Sequence, residues 1–461
     1  MNRRRFSADL LGALGASFLI PDVIAGSRVW DPGRAPGSPS GTWDRSGGEE
    51  SQEMPRINAS RLHRRLEELS HYGRRPDGGV DRVAFSQAEI EARTYVRSLR
   101  EEEGLDVRLD AAGNLLGRRD GREAGLTPLM VGSHLDSVPA GGNYDGPLGT
   151  LGALEVLQTL REAGMVSRHS LEVVAFVNEE GGKTGSRVMA GEFRPEELEL
   201  ETVSGLTIRE GIRRLGGNPE AVTTARREPG SVAGFLELHV EQGAVLEEAG
   251  ATIGVVEGIV GIRRWHVKVA GAANHAGTTP MALRKDALLG AAVFVQAVNR
   301  VARTIPGSQV ATVGRIQAFP GAPNVIPGEV ILSLEIRDLA MEGIERVFEL
   351  LRREADEIEG HHGTPFTMEE IYLSAAAPTD ERFRRWVEDA AQELGLSHRR
   401  MPSGAGHDAQ AVAHFAPVGM IFIPSVGGVS HHPDEYSRPE DVEAGVNVLL
   451  RALVKADAEL G

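Results

Sequence analysis

Short apolar runs ending in polar, Gly-rich loops alternate along this chain with longer segments of helical period. TPLMVGS (127–133) is an apolar run before a polar loop. LEVVAFV (171–177) and MIFIPSV (420–426) read as buried strands, and FLELHV (235–240) alternates like a half-buried one. GPLGTLGALEVLQTLREAG (146–164) reads as a helix. Such alternation predicts an α/β layered domain with a mainly parallel sheet. Upstream, Ser60 is placed to cap a helix carrying Leu62, Leu66 and Leu69. Ser86 with Glu89 has the capping-box pattern, opening a second helix to about Glu103.

Around Gly261 the rhythm changes. RWHVKVAG (264–271), ATVGRIQA (311–318) and VILSLEIRD (330–338) are strand-like. DALLGAAVFVQAVNRVART (286–304) and GIERVFELLRREADEIEG (343–360) are helical. Strand–helix–strand–strand–helix is a small α+β layer. The α/β pattern resumes after about residue 375. The expected organisation is one α/β domain in two parts, 57–262 and 375–461, interrupted by a smaller α+β domain over 263–374.

Residues 1–26 run from a basic start through a Leu/Ala/Gly-rich stretch to small residues near Ala25, the order of an export signal. Arg3-Arg4-Arg5-Phe6 resembles a twin-arginine signal, so the expected location is periplasmic or exported, or cytoplasmic where that signal does not function. Pro21 and Asp22 shorten the apolar run below the ~20 residues a membrane helix needs, so no stable membrane insertion is expected. Residues 27–56 are rich in Gly, Pro and Ser and read as a flexible linker.

Lys and Arg number 50 against 66 Asp and Glu, a formal charge of −16, and no dense basic stripe appears. That balance argues against a nucleic-acid partner. There are no cysteines, which excludes disulfides, thiolate nucleophiles and Cys-ligated zinc. Any metal must be held by His, Asp and Glu.

Those residues gather at or beyond strand ends. His134 ends the first run, where open α/β sheets place their sites, and Asp136 is positioned to accept a hydrogen bond from its other imidazole nitrogen. Asp145, on the Gly-rich turn 141–146, is either the N-cap of the following helix or a metal-bridging carboxylate. Glu179 and Glu180 follow LEVVAFV directly. Like charges packed there call for a cation or a shared proton, and one can bind metal while its neighbour acts as general base. His239 sits late in its strand, with Glu237 and Glu241 on the same face. His431 follows MIFIPSVGG, with Glu435 as support. His134, Asp145, Glu180, His239 and His431 supply three imidazoles and two carboxylates, a set that suits two divalent metal ions sharing one bridging carboxylate. Nitrogen and oxygen ligands admit Zn²⁺, Mn²⁺, Co²⁺ or Ni²⁺.

In combination, GSHLDSVPAGGNYDGPLG, NEEGG, ELHVEQG, NHAGTTPM, APNVIPGEV, EIRD, SGAGHDA and SHHPDE resemble the M20 metallohydrolases over residues 57–458. More narrowly, they resemble the hydantoinase/carbamoylase branch of N-carbamoyl-L-amino-acid hydrolases, allantoate amidohydrolases and β-ureidopropionases. The resemblance implies an amidohydrolase with a small anionic substrate and a homodimer formed through the inserted lid and dimerisation domain. It implies that His134 and His239 belong to different metals, with Asp145 between them. Glu180 and His431 complete the pair, and Glu179 is the general base. It assigns Arg264, His275, Asn324 and Arg337 to substrate binding, Arg337 as a bidentate carboxylate clamp and His275 as oxyanion support across the dimer. Gln242 and His407 are further site candidates. An ordinary surface salt bridge is the competing reading of Arg264 and Arg337.

One departure stands out. Relatives carry an Arg-Phe pair after the Glu-Glu-Gly step; here the run is Gly182-Lys183-Thr184. The departure bears on substrate identity. An M20 aminoacylase or dipeptidase is the alternative enzyme, and an exported solute-binding or structural dimer with a dead site is the alternative of another class.

Overall fold

A computed structural model of the protein describes residues 54–461. The expected export signal (1–26) and nearly all of the expected linker (27–56) lie outside the described residues. Among the described residues, no helix is long and apolar enough to cross a membrane.

The larger sheet has nine strands. Its centre is four parallel strands in the order Leu171–Phe176, Leu129–His134, Gly234–Val240 and Val418–Ile423. Antiparallel strands flank them: Leu115–Arg119 and Asp106–Leu109 on one side, Ile253–Ile259 and Ala377–Pro378 on the other, and the ninth strand, His398–Ser403, runs parallel to Ile253–Ile259. All four central strands are buried along their whole length, as parallel strands covered on both faces must be. One face packs the helices Ala59–Ser70, Pro147–Glu162, Glu381–Glu393 and Pro439–Glu459. The other carries Met189, Val412 and Phe415 from short helices and turns around the site.

A separate antiparallel sheet orders Phe366–Ser374, Gly261–Ala270, Glu329–Asp338 and Val310–Phe319. The helices Ala287–Thr304 and Met341–His362 bury their apolar stripes on it, with Trp265 and Phe348 stacked at 4.3 Å between ring centroids. The protein is thus a mixed α/β fold with a mainly parallel central sheet and a second, antiparallel layer.

Several local expectations need correction. The first helix spans Ala59–Ser70 and is capped by the Asn58 side chain, not by Ser60. Ser86 caps Gln87–Glu102 as expected, but Glu89 returns to the N–H of Phe85 rather than to the cap residue, so the box is only half formed. Gly234–Val240 is fully buried rather than half-buried. Its alternating polar residues have partners inside the protein: Glu237 accepts from the Ser133 hydroxyl and the Ala409 N–H, and His239 faces the Val240 carbonyl and Asp145. The small layer has a fourth strand, Phe366–Ser374, concealed because the Glu369-Glu370 pair and a bulge beside it break the alternation.

Candidate metal centre

The four central parallel strands deliver the chemistry at their carboxyl ends. His134 is the last residue of Leu129–His134, and His239 is next to last in Gly234–Val240. Glu179 and Glu180 lie just beyond Leu171–Phe176, and His431 lies in the loop after Val418–Ile423. Side chains that are remote in sequence meet there because parallel strands all end on the same edge.

Asp145 is the centre of the cluster. Its Oδ1 lies 3.4 Å from His134 Nε2 and 3.3 Å from His239 Nε2. Its Oδ2 lies 3.4 Å from His431 Nε2, which is also 3.4 Å from Glu180 Oε1. Two donor groups result, His134–Asp145–His239 and Asp145–Glu180–His431. These candidate groups put His134 and His239 together at Asp145, whereas the resemblance implies that the two belong to different metals. The two imidazoles share one oxygen of Asp145, while His431 and Glu180 gather at the other. Nor is Asp145 a helix cap: Pro147–Glu162 begins after Gly146, with no side-chain cap.

The backbone is shaped for this approach. Gly146 has φ +82, and a Cβ there would collide with the His134 ring. A Cβ at Gly142 would likewise strike the Glu435 carboxylate. Asn178, Lys183, Gln242 and His431 adopt left-handed φ of 53 to 61, a strain of the kind that collects at functional sites.

Partners beyond the cluster orient the ligands. His134 Nδ1 faces the backbone carbonyl of Asp136 at 3.0 Å, and His239 Nδ1 faces that of Val240 at 2.9 Å. Carbonyls only accept, so each Nδ1 carries a proton and each Nε2 is the ring nitrogen that faces the cluster, able to bind a cation once it is unprotonated. The role expected of Asp136 is thus taken by its backbone oxygen, because its carboxylate is 3.8 Å from the ring. That carboxylate instead accepts the N–H groups of Glu179 and Glu180, at 3.2 and 3.1 Å. Glu435 supports Asp145 rather than His431. Its Oε1 accepts the N–H groups of Tyr144 and Asp145 at 2.9 and 3.0 Å, and Ser430 donates to Oε2 at 2.8 Å.

The charges are unbalanced without a cation. Burial raises Glu179 to about 7, against the opposing pull of His134 and Lys183. Burial and the Asp145 and Glu179 charges push Glu180 well above the carboxylate range. Burial also opposes ionisation of Asp145, but the His239 charge and hydrogen bonds with His134 and His431 outweigh it and hold its carboxyl well below the usual range. Burial works to discharge His134, yet its hydrogen bond with Asp145 and nearby carboxylates raise it well above the usual imidazole range. His239 Nε2 and Glu180 Oε1 are buried without a hydrogen-bond partner. Open, buried donor atoms among crowded carboxylates fit a divalent cation, which would satisfy them together.

The remaining candidates divide into two groups. Gln242 joins the cluster, its Nε2 donating to Asp145 Oδ2 at 2.6 Å. His407 packs edge-on against His239, ring centroids 4.5 Å apart, with its Nε2 2.8 Å from the Ser403 hydroxyl. Burial and the His239 charge hold it neutral. Among the described residues, none of the other four contacts the cluster. His275 is exposed, its Nδ1 accepting the N–H groups of Gly277 and Thr278 at 3.0 and 3.2 Å. Asn324 accepts the Ala276 N–H at 3.0 Å through its backbone carbonyl. Arg264 and Arg337 both bind Glu335, at 2.5 and 2.7 Å, and Arg337 also reaches the Gly404 carbonyl at 2.6 Å.

Sequence reasoning missed three supports. Glu335 organises the two arginines; the Glu-Ile-Arg alternation that puts it beside Arg337 was the available signal. Fully buried Arg82 donates to the Leu135 carbonyl at 2.6 Å and pins the loop after His134, with no local pattern to announce it. Asp408 takes the Ser186 hydroxyl at 2.5 Å beneath the Glu179 loop.

Comparison with known proteins gives the same picture. The model of Peptidase family M20/M25/M40 matches residues 130–455. The N-carbamoyl-L-amino acid amidohydrolase of Geobacillus stearothermophilus is 43% identical over 402 residues, spanning 86% of this chain and 98% of that protein. The allantoate amidohydrolase of Bacillus subtilis (strain 168) is 35% identical over 396 residues, spanning 85% and 96%. Among solved structures, an amidase of the hydantoinase/carbamoylase family from Burkholderia multivorans superposes with a TM-score of 0.82 at 37% identity, covering 88% of this chain and 99% of its own. With the family match spanning well over half of its length and its relatives covered almost end to end, this chain belongs to peptidase family M20/M25/M40.

Proposed function

We propose that the protein is a dinuclear-metal amidohydrolase that cleaves a linear C–N amide bond of an N-carbamoyl or ureido acid. One observation carries the reading: Asp145 offers one carboxylate oxygen to each of two adjoining donor groups, with Glu179 beside them. The relatives named as N-carbamoyl-amino-acid and allantoate amidohydrolases support the substrate class.

His134, His239 and Asp145 would hold one cation, and Asp145, Glu180 and His431 the other, zinc or manganese being suited to this donor set. When bound, such a pair supplies Lewis acidity that polarises the scissile carbonyl and acidifies water. Glu179, fixed through its own N–H by Asp136, takes the proton from the attacking water on its free carboxylate. It returns that proton to the leaving nitrogen as the C–N bond breaks. The products of a carbamoylase are the amino acid, CO₂ and ammonia. Arg337 and Arg264, gathered on Glu335, are the cationic groups for the substrate carboxylate. Leu288, Leu289, Ile316 and Phe319 are exposed on one helix and one edge strand of the small layer, and support a homodimer formed there. In that dimer His275 serves the oxyanion of the neighbouring site.

The test is an ammonia-release assay on metal-reconstituted protein, comparing allantoate, β-ureidopropionate, several N-carbamoyl-L-amino acids and a dipeptide. Ammonia from at least one ureido acid is expected. Dipeptide hydrolysis without any ureido activity would replace this reading with the aminoacylase or dipeptidase one.

A further inference from the structure

Lys183 and Thr184 close the loop that carries Glu179 and Glu180, and both side chains are engaged. The loop from Asn178 to Thr184 carries Glu179 and Glu180, and its two ends are tied by a hydrogen bond from Asn178 Nδ2 to Thr184 Oγ1 at 2.8 Å. Lys183 holds a left-handed φ of 57 at the start of the following helix. Its Nζ donates to Gln410 Oε1 at 2.5 Å. Gln410 is buried, and its amide nitrogen donates to the Ala375 carbonyl at 2.6 Å and to the Ser374 hydroxyl at 3.1 Å. An amide has one oxygen and one NH₂ group, and here every polar atom has a partner that fixes which way it points.

Those partners lie on different parts of the fold. Ser374 ends the last strand of the antiparallel layer, and Ala375 begins the return to the larger sheet. A second strand of the same layer reaches the loop that precedes Gln410, through the bond from Arg337 to the Gly404 carbonyl. Gly406 leaves room for the Lys183 ammonium, since a Cβ there would lie 3.2 Å from Nζ.

We propose that Lys183 is a positioning residue that ties the loop bearing Glu179 and Glu180, through Gln410, to the chain returning from the antiparallel layer. The placement of Glu179 then follows the placement of that layer, which carries Arg264 and Arg337. The effect on turnover rests on the function proposed above; the physical tie does not. An uncharged methionine at 183 keeps the stem and removes the donor. An arginine keeps a donor.

The experiment is hydrogen–deuterium exchange by mass spectrometry on the full chain, metal-loaded and without substrate, for wild type, Lys183→Met, Gln410→Met and Lys183→Arg. Exchange in Lys183→Met is expected to rise about twofold at both 178–184 and 374–378, with Gln410→Met matching it and Lys183→Arg close to wild type. A rise at only one segment, or at neither, would overturn the proposal. With a ureido substrate, kcat in Lys183→Met is expected to fall about tenfold with KM unchanged, and Lys183→Met/Gln410→Met is expected to fall no further. Multiplicative losses in the double variant would overturn the tie. Because the exchange arm needs no substrate, a protein that hydrolysed no ureido acid would still answer it.

Discussion

Asp136 holds Glu179 by its backbone: Oδ1 accepts the Glu179 N–H at 3.2 Å while Oδ2 takes the next N–H of the chain at 3.1 Å. The loop that places the proposed base and a candidate metal ligand therefore hangs on a carboxylate that itself need touch neither metal nor substrate.

Replacing that carboxylate by an amide leaves one oxygen for two N–H donors and points an NH₂ at the other. Asp136→Asn is expected to lower kcat by about 10- to 100-fold while the fold persists. Steady-state kinetics beside a circular-dichroism melt would check this; wild-type kcat in a folded variant would deny Asp136 its role.

Glu435 acts on Asp145 in the same way, through two backbone N–H groups and the Ser430 hydroxyl. A glutamine can keep its oxygen on the two N–H groups and turn its NH₂ toward Ser430, so Glu435→Gln is expected to be mild. Glu435→Ala is expected to weaken metal affinity about 10- to 100-fold. Competition with a chelating dye ranks the three proteins, and equal affinities for all of them would remove Glu435 from the site.

Gly146 and Gly78 separate backbone strain from steric clash. Both have positive φ, +82 and +91, but a Cβ at Gly78 meets nothing within 4 Å, whereas one at Gly146 collides with the His134 ring. Gly78→Ala is expected to cost about 1 kcal/mol of stability and leave turnover intact. Gly146→Ala is expected to cost more and to impair metal binding, because the ring must move. Urea unfolding with metal analysis distinguishes them.

The pH response of metal-free protein follows from the raised groups. Glu179 at about 7 and Glu180 well above its usual range bind protons more tightly folded than unfolded, and the same holds for His134 and His239. Such groups contribute stability below their unfolded values and lose it as pH rises through their folded ones. Asp145 and His407 have the opposite sign: Asp145 loses its contribution only below about pH 4, and His407, held neutral by burial, destabilises the fold as pH falls below its ordinary value of 6.5. Above that value only the raised groups act, so chelated protein is expected to lose Tm as pH rises past about 6.5. The gain in Tm from added Zn²⁺ or Mn²⁺ is expected to be larger at pH 8 than at pH 5.5. Paired melts with chelator and with metal would show it; a gain that shrinks with rising pH would be the wrong sign.

Much of this fold was legible because its central strands are buried on both faces and so read as unbroken apolar runs. Phe366–Ser374 was not legible because most of its residues are exposed, so its apolar positions, interrupted by Glu369-Glu370 and a bulge, keep no period of two. The ligand types were visible where His or Glu met a strand end. Their grouping was not: His134 and His239 are far apart in the chain, and only the adjacency of two parallel strands places both on one oxygen of Asp145. Asp136 shows the same limit, since its spacing from His134 could not tell which of its oxygens would face the ring.

The central claim is that Asp145 organises a two-cation site served by Glu179 as base. Glu179→Gln tests it most directly, with metal stoichiometry and ammonia release measured on the same preparation. Two equivalents of divalent metal per chain and a loss of turnover of about 10²- to 10⁴-fold are expected. Near-wild-type ammonia release from that variant, with its metals in place, would contradict the claim.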